Sequence, residues 1–542
     1  MYIDLDEVAG GQSFHATVCI VGGGIAGLVL ATRLAAGGID VQLLEAGGLK
    51  PEERSQALFY AEMGAQRHTG SFDGRFRTYG GSSTRWGAQL LPYTHDIFAP
   101  PTGLLSTAWP IDEQAITAYY QDVQDIFGVD PLPFSDDLLP AVGRAKLPSS
   151  PDYVLRYSKW APFNKRNLAR TLGAEALANE NIKVFLHANA AALTVAPQDP
   201  GDIQSSKIRT VEAVNYKRER FTFTATYVVV AAGTVESSRL ILSSPCIPNP
   251  HDQIGRYFHD HVSWGAANFD TGAADRILDR LGPFYVNGTT HSSKLEASTP
   301  LRVRENLLPV MAHIVLLEPE DSGAAAIRNL VRALQRGRLK EAIAVNLLPM
   351  IRGSRDVARL IFYSRVKKRR TVSNRAIVQL TIDVEQAPDP DNRIRLSPDR
   401  TDALGLPVAV VDWRVNAAEQ QTALRYARIV RTYLEAAGIG PLTWTPAAID
   451  QTAPLMSDTF HAMGGLRMGN DPATSVVDRD LRVHHLDNLY VASCAVYPSG
   501  GSSNPTFTMM ALTMRLADHL AARLKTHVPK NLATNELSAT RS

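Results

Sequence analysis

"ATVCIVGGGIAGLVLATRLAAGGIDVQLLEAGG", residues 16–48, is the stretch from which the fold is read. VCIV has the composition of a buried strand, the glycines turn the chain, the Ala- and Leu-rich run is helical, and VQLLE is a second strand. Gly22, Gly24 and Gly27 therefore form G-x-G-x-x-G between a strand and a helix, the context in which that spacing carries meaning. Gly22 permits a tight turn, Gly24 lets a pyrophosphate approach the backbone, and Gly27 lets helix and strand pack closely, with the helix N-terminus facing the phosphates. Glu45 lies 23 residues after Gly22, where a carboxylate can accept hydrogen bonds from ribose hydroxyls. The unit predicts a dinucleotide site and by itself does not choose FAD over NAD.

Three further stretches extend the pattern. "RTYGGSSTRWGAQLLP", residues 77–92, sets paired Gly80 and Gly81 before small hydroxyls, then Trp86 and Gly87, which suits a loop running close to a flat cofactor. "TYVVVAAGTVESSRLILSS", residues 226–244, is a buried β run that ends in Ala231, Ala232 and Gly233 and turns into a helix. The small residues serve either a ligand's approach or plain strand-to-helix packing. In "PSGGSSNPTFTMM", residues 498–510, Pro505 marks a helix start, because its missing amide hydrogen would be unpaired there anyway, and Asn504 stands at the cap.

At 542 residues the chain exceeds what one hydrophobic core supports, and 45% apolar content is enough to fill two. Lys plus Arg at 56 against Asp plus Glu at 54 leaves a charge of +2, which argues against a nucleic-acid partner. Cys19, Cys246 and Cys494 are odd in number and far apart, unlike a disulfide framework or a clustered metal site. The N-terminus MYIDLDEVAGGQ lacks the pattern of an export signal and no apolar run reaches bilayer-spanning length, so a cytoplasmic location is expected. From Ala324 to Arg370 there are thirteen Arg or Lys against two acids, with Ile327, Leu330, Val331 and Leu334 at helical spacing. A solvated face or a subunit contact, as in a homo-oligomer, is the expected role; a membrane-surface or acidic-partner site is the lesser alternative, and a lid over the site is a third. "RAIVQLTIDVEQ" (375–386) and "LPVAVVDWRV" (406–415) read as strands around a turn-rich connection, and the polar tail 528–542 has little to bury.

VGGGIAGLVLA, YGGSSTRWGA, WPI before a Tyr-rich helix, VVVAAGTVESSRLILSS, IGRYFHDH and FHAMGGLRMG through NLYVASCAVYPSGGSSNPTFTMMAL occur in that order over most of the chain. In this the chain resembles the glucose-methanol-choline (GMC) flavin oxidoreductases, in the branch of pyranose 2-oxidase and bacterial sugar dehydrogenases. The resemblance implies an α/β fold: a Rossmann-like FAD-binding domain and a second α+β substrate domain built on an antiparallel sheet. The FAD domain would comprise residues 1–265 and 450–527, with substrate-side segments inserted around 90–180, and the substrate domain residues 266–449.

The implied reaction is oxidation of a secondary hydroxyl of a sugar, glycoside or related polyol, with electrons passed to oxygen, a quinone or a cytochrome. His461 of FHAMGG and Asn504 of SSNPT, 43 residues apart, occupy the positions of the family's base and its hydroxyl-sharing partner. Neutral imidazole can take the hydroxyl proton near neutral pH, while the Asn504 amide donates to the same oxygen. A helix starting at Pro505 points positive partial charge toward the flavin ring. The implied cofactor set is Gly22, Gly24, Gly27, Glu45, Gly80, Gly81, Ser82, Arg85, Trp86, Gly87, Ala88, Ala232, Gly233, Asn504, Pro505 and Thr506. Arg85 stands in STRW where fungal pyranose 2-oxidase has a histidine bonded to FAD, so the flavin is expected to be noncovalent; the alternative is a surface arginine with no cofactor contact. His259 and His261 of FHDH have a metal pair's spacing but no third ligand, and His484 and His485 lie in a loop, so no metal is assigned. A non-redox lyase with a structural flavin, or a non-catalytic flavin-binding partner, are the alternative functions.

Overall fold

The computed structural model describes residues 1–195, 206–335 and 351–526. Among them, an eight-stranded sheet runs in the order Tyr2–Asp4, Ile182–Leu186, Val41–Leu44, Ser13–Val21, Arg220–Val230, Ile208–Val214, Asn189–Val195, with Leu489–Val491 also pairing with Arg220–Val230. The pairings that flank the glycine motif are parallel: Val18–Val21 against Val41–Leu44 on one side and against Tyr227–Val230 on the other. A parallel sheet is covered on both faces, which is why VCIV and VQLL are apolar without alternation. Helix Ile25–Ala36 follows the motif and packs beside helix Thr506–Thr526, the buried helix from the far end of the chain.

The second sheet is antiparallel, in the order Leu442–Trp444, His261–Phe269, Ile377–Glu385, Val310–Leu317, Thr289–Ala297, Tyr153–Trp160, Gln89–Leu90. Here the period is two. In Ile377–Glu385, the residues Val378, Leu380, Ile382 and Val384 are buried in a separate core with Ala423, Tyr426, Ala427 and Val430 of helix Ala417–Ala436. Each Val, Leu and Ile of that row contributes roughly 1.5–3 kcal/mol on burial. The alternate row, Gln379, Thr381, Asp383 and Glu385, is polar, and its end approaches the site described below.

One expectation is corrected. The connection after residue 386 is not only turn: Arg393–Thr401 is a strand, paired antiparallel with Pro407–Asp412, which in turn runs parallel to Ala61–Met63 in a small third sheet. Its Pro, Asp and Arg hide one buried apolar anchor, Ile394, and the turn is closed by Asp402, whose carboxylate accepts from the amides of Leu404 and Leu406. Of the basic stretch, Gly323–Gln335 and Ser354–Arg365 are helices; 336–350 and the tail 528–542 lie outside the described residues. No helix among the described residues is long and apolar enough to cross a membrane.

Candidate active site

The glycine motif is built as its spacing demands. Gly22 has φ +113°, and a Cβ there would meet the Ala231 carbonyl oxygen at 2.6 Å. A Cβ on Gly27 would fall 1.9 Å from the Gly22 carbonyl oxygen, so only glycine lets helix Ile25–Ala36 close on its turn. Gly22 lines a cavity of about 720 Å³.

Most of the sequence-derived site residues line that cavity. The front of the chain supplies Gly22, Gly24 and Glu45; the second glycine loop supplies Gly81, Ser82, Arg85, Trp86, Gly87 and Ala88. Ala232 and Gly233 come from the strand–helix turn, and His461, Asn504, Pro505 and Thr506 from the far end. Gly27 and Gly80 do not line it. Gly80 is a packing glycine, φ +87°, whose added Cβ would meet the Ala169 side chain at 2.6 Å. Glu45 is buried; its two carboxylate oxygens accept from the amides of Gly23 (3.0 Å) and Gly47 (2.7 Å), and burial raises its pKa. Arg85 is exposed at the cavity with its guanidinium 4.9 Å from the Phe76 ring centre.

Asn504 is not the helix cap expected of it. Helix Thr506–Thr526 begins with the Met509 amide donating to the Pro505 carbonyl, while the Asn504 side chain turns away: its Nδ2 lies 2.9 Å from His461 Nε2, and its buried Oδ1 has no partner among the described residues. His461 is held on its other side. Its Nδ1 is 2.9 Å from His261 Nδ1 and 2.9 Å from Thr459 Oγ1, and its backbone amide donates to Asp260 Oδ2 at 2.8 Å. Burial, then the neighbouring His261, push the His461 imidazole down to about 4, against the opposing pull of Asp260 and Asp383.

Sequence reasoning passed over this support. His259 and His261 do not converge on a metal: buried His259 bonds through Nδ1 to the Tyr257 carbonyl, while His261 faces His461 and reaches the Gly500 carbonyl through Nε2 at 3.2 Å. Asp260 between them is fully buried and also accepts from Thr459 and His68. Burial alone would raise its pKa; the His68 hydrogen bond and the surrounding histidines outweigh that and hold it below the usual carboxylate range. Phe460, next to the imidazole, has φ +64° and is 53% exposed in the cavity wall, a conformation that costs a bulky residue energy and recurs at functional sites. Gln89 and Trp160 line the same space from the edge of the antiparallel sheet. The only signal for Phe460 was its adjacency to His461.

The cavity suits a dinucleotide with a flat ring. A Cβ on Gly24 or Gly233 would meet nothing within 4 Å, so bare backbone faces open space; two helix N-termini open on it; and the Asn504 carbonyl is a buried acceptor without a donor among the described residues. The cysteines are free; Cys494 lines the cavity, where burial pushes its thiol up to about 12.

Comparison with known proteins gives the same picture. A family described as "FAD dependent oxidoreductase" matches residues 17–331, and one described as "GMC oxidoreductase" matches residues 388–513. The fructose dehydrogenase large subunit of Gluconobacter japonicus is 23% identical over 95% of this chain and 99% of its own length. The 6'''-hydroxyparomomycin C oxidase of Streptomyces lividus is 25% identical over 94% of this chain and 93% of its own. The crystal structure of pyridoxine 4-oxidase from Mesorbium loti superposes with a TM-score of 0.55 at 16% identity, over 93% of this chain and 99% of that one, which is a likeness of fold.

Proposed function

Since the chain belongs to the FAD-dependent GMC oxidoreductases, enzymes that oxidise alcohols and sugars, we propose that it converts a secondary hydroxyl of a sugar, glycoside or related polyol to a ketone, with His461 as base. The observation that carries this reading is the 2.9 Å pairing of His461 Nε2 with Asn504 Nδ2 on the wall of a cavity that bare glycine backbone also lines. FAD would be held without a covalent bond, its phosphates on the turn of Gly22 and Gly24, a ribose on Glu45, and its ring among Gly81, Ala232, Gly233 and Thr506. Bound there, FAD supplies the two-electron acceptor for the carbinol hydrogen.

The residues of the chain do the rest. A substrate hydroxyl that replaces the direct His461–Asn504 hydrogen bond donates its proton to Nε2 and accepts from Nδ2, which fixes the alcohol for proton removal. A depressed pKa keeps that imidazole neutral at pH 7, ready to accept. Phe76, Trp160 and Phe460 offer apolar surface for a sugar ring, and Gln89 a polar contact. The relative named for fructose supports a sugar substrate. We assign residues 1–265 and 450–527 to the FAD-binding part, with substrate-side segments inserted around 90–180, and 266–449 to the substrate part.

Anaerobic mixing of the purified yellow protein with a panel of sugars and glycosides tests the proposal by loss of the flavin absorbance. Readmitted air, a quinone or a cytochrome then identifies the acceptor. His461→Ala is expected to retain flavin and lose roughly 10²–10⁴-fold in reduction rate. No bleaching by any alcohol, or unchanged reduction in that variant, would refute it.

A further inference from the structure

His461 is useful as a base only if the nitrogen facing Asn504 carries a lone pair, and its neighbours decide which nitrogen that is. The proton positions follow from groups that can only accept. The Gly500 carbonyl accepts at 3.2 Å from His261 Nε2, so that nitrogen bears the hydrogen, and in the neutral ring His261 Nδ1 is an acceptor. Facing it at 2.9 Å, His461 Nδ1 must then be the donor.

A second line reaches the same assignment independently. Asp260, an ionised carboxylate, takes the Thr459 hydroxyl proton at 3.0 Å, so the Thr459 oxygen can only accept from His461 Nδ1, also at 2.9 Å. His68 completes the support behind Asp260: its Nε2 donates to Asp260 Oδ2 at 3.1 Å and its Nδ1 faces Ser71 Oγ at 2.8 Å. With Nδ1 protonated, His461 Nε2 is bare and accepts from Asn504 Nδ2, and the orientation of the Asn504 amide agrees.

We propose that His261 and Thr459 are positioning residues that hold His461 in the Nδ1–H form and so aim its lone pair at the substrate. This rests on the reading of His461 as the base. In the proton step the substrate O–H bond breaks and an Nε2–H bond forms; the imidazolium that results keeps its Nδ1 hydrogen shared between His261 and Thr459. His261 thus has a role in the reaction without touching substrate.

The test is histidine-selective ¹⁵N labelling of the holoenzyme, with the His461 signals identified by their loss in His461→Asn. The expected spectrum shows His461 with a protonated Nδ1 and a bare Nε2; a protonated Nε2 overturns the proposal, whether or not any sugar reduces the flavin. In kinetics, His261→Asn keeps an acceptor and stays within about threefold of the parent. His261→Leu with Thr459→Val, which removes both acceptors, loses about tenfold or more in kcat with KM little changed. An equal loss in His261→Asn and His261→Leu, or a double variant as fast as the parent, also overturns it.

Discussion

Lowering the pH tests the site most directly, because the base functions only while unprotonated. Burial first, and then the adjacent His261, depress the His461 pKa from 6.5 to about 4. The sign follows: a base with a lowered pKa keeps its lone pair as the medium acidifies and loses it only as the pH falls through about 4. At pH 5 a site titrating at about 4 is roughly 90% unprotonated, whereas a free imidazole at about 6.5 is roughly 3% so, a difference of about thirtyfold in competent enzyme. The assay is kcat/KM at constant ionic strength from pH 3.5 to 8, since that ratio reports the free enzyme, with circular dichroism and flavin fluorescence confirming folded holoenzyme at each point. The acid limb should centre near 4. A limb centred near 6.5 in folded holoenzyme, with activity at pH 5 reduced to a few per cent, would refute the claim that the imidazole is sheltered.

Three other expectations follow from the packing. Gly27→Ala places a Cβ 1.9 Å from the Gly22 carbonyl oxygen, so the turn must open; a loss of about 1–3 kcal/mol or more in denaturant unfolding, with a reduced flavin-to-protein absorbance ratio, is expected. Arg156 donates to both oxygens of Glu296, to Ser503 beside Asn504, and to the Pro92 carbonyl; Arg156→Met strands the buried Glu296 and should cost about 3–5 kcal/mol, most of it recovered by adding Glu296→Met. Glu385, buried with one oxygen on the Gly500 and Gly501 amides and the other unpartnered among the described residues, has its pKa raised by burial to about 7. A raised acid contributes stability that is present below its unfolded pKa near 4.5 and lost as the pH rises through about 7. Glu385→Gln should therefore stabilise the protein more at pH 8 than at pH 5, by on the order of 3 kcal/mol, read from denaturant midpoints.

What the sequence showed was what is local. The G-x-G-x-x-G turn, the strands on either side of it and the helix after Pro505 are written in neighbouring residues, and so were legible. The His461–Asn504 pair was found only through family order, since no periodicity links positions so far apart. His261 was passed over because its partner lies 200 residues away, and nothing in FHDH says which way each imidazole will face once the strand joins the antiparallel sheet. Strand Arg393–Thr401 was hidden for the opposite reason: its residues are those of turns, and it is a strand because Ile394 has a core to enter and Pro407–Asp412 lies alongside. Asn504 looked like a cap by local preference, and a tertiary contact took its side chain elsewhere.

His461 sits at a seam: Ala462 packs toward the antiparallel-sheet core and Met463 belongs to the core of the parallel sheet, while Asn504 stands at the head of a helix whose buried residues belong to the latter. The two side chains must part far enough to admit a hydroxyl oxygen yet stay within hydrogen-bond reach of it, so the fit of the two cores against each other sets whether the proton can be removed. A small molecule wedged at that seam would occupy the place of the substrate hydroxyl and so compete with substrate while sparing the bound nucleotide.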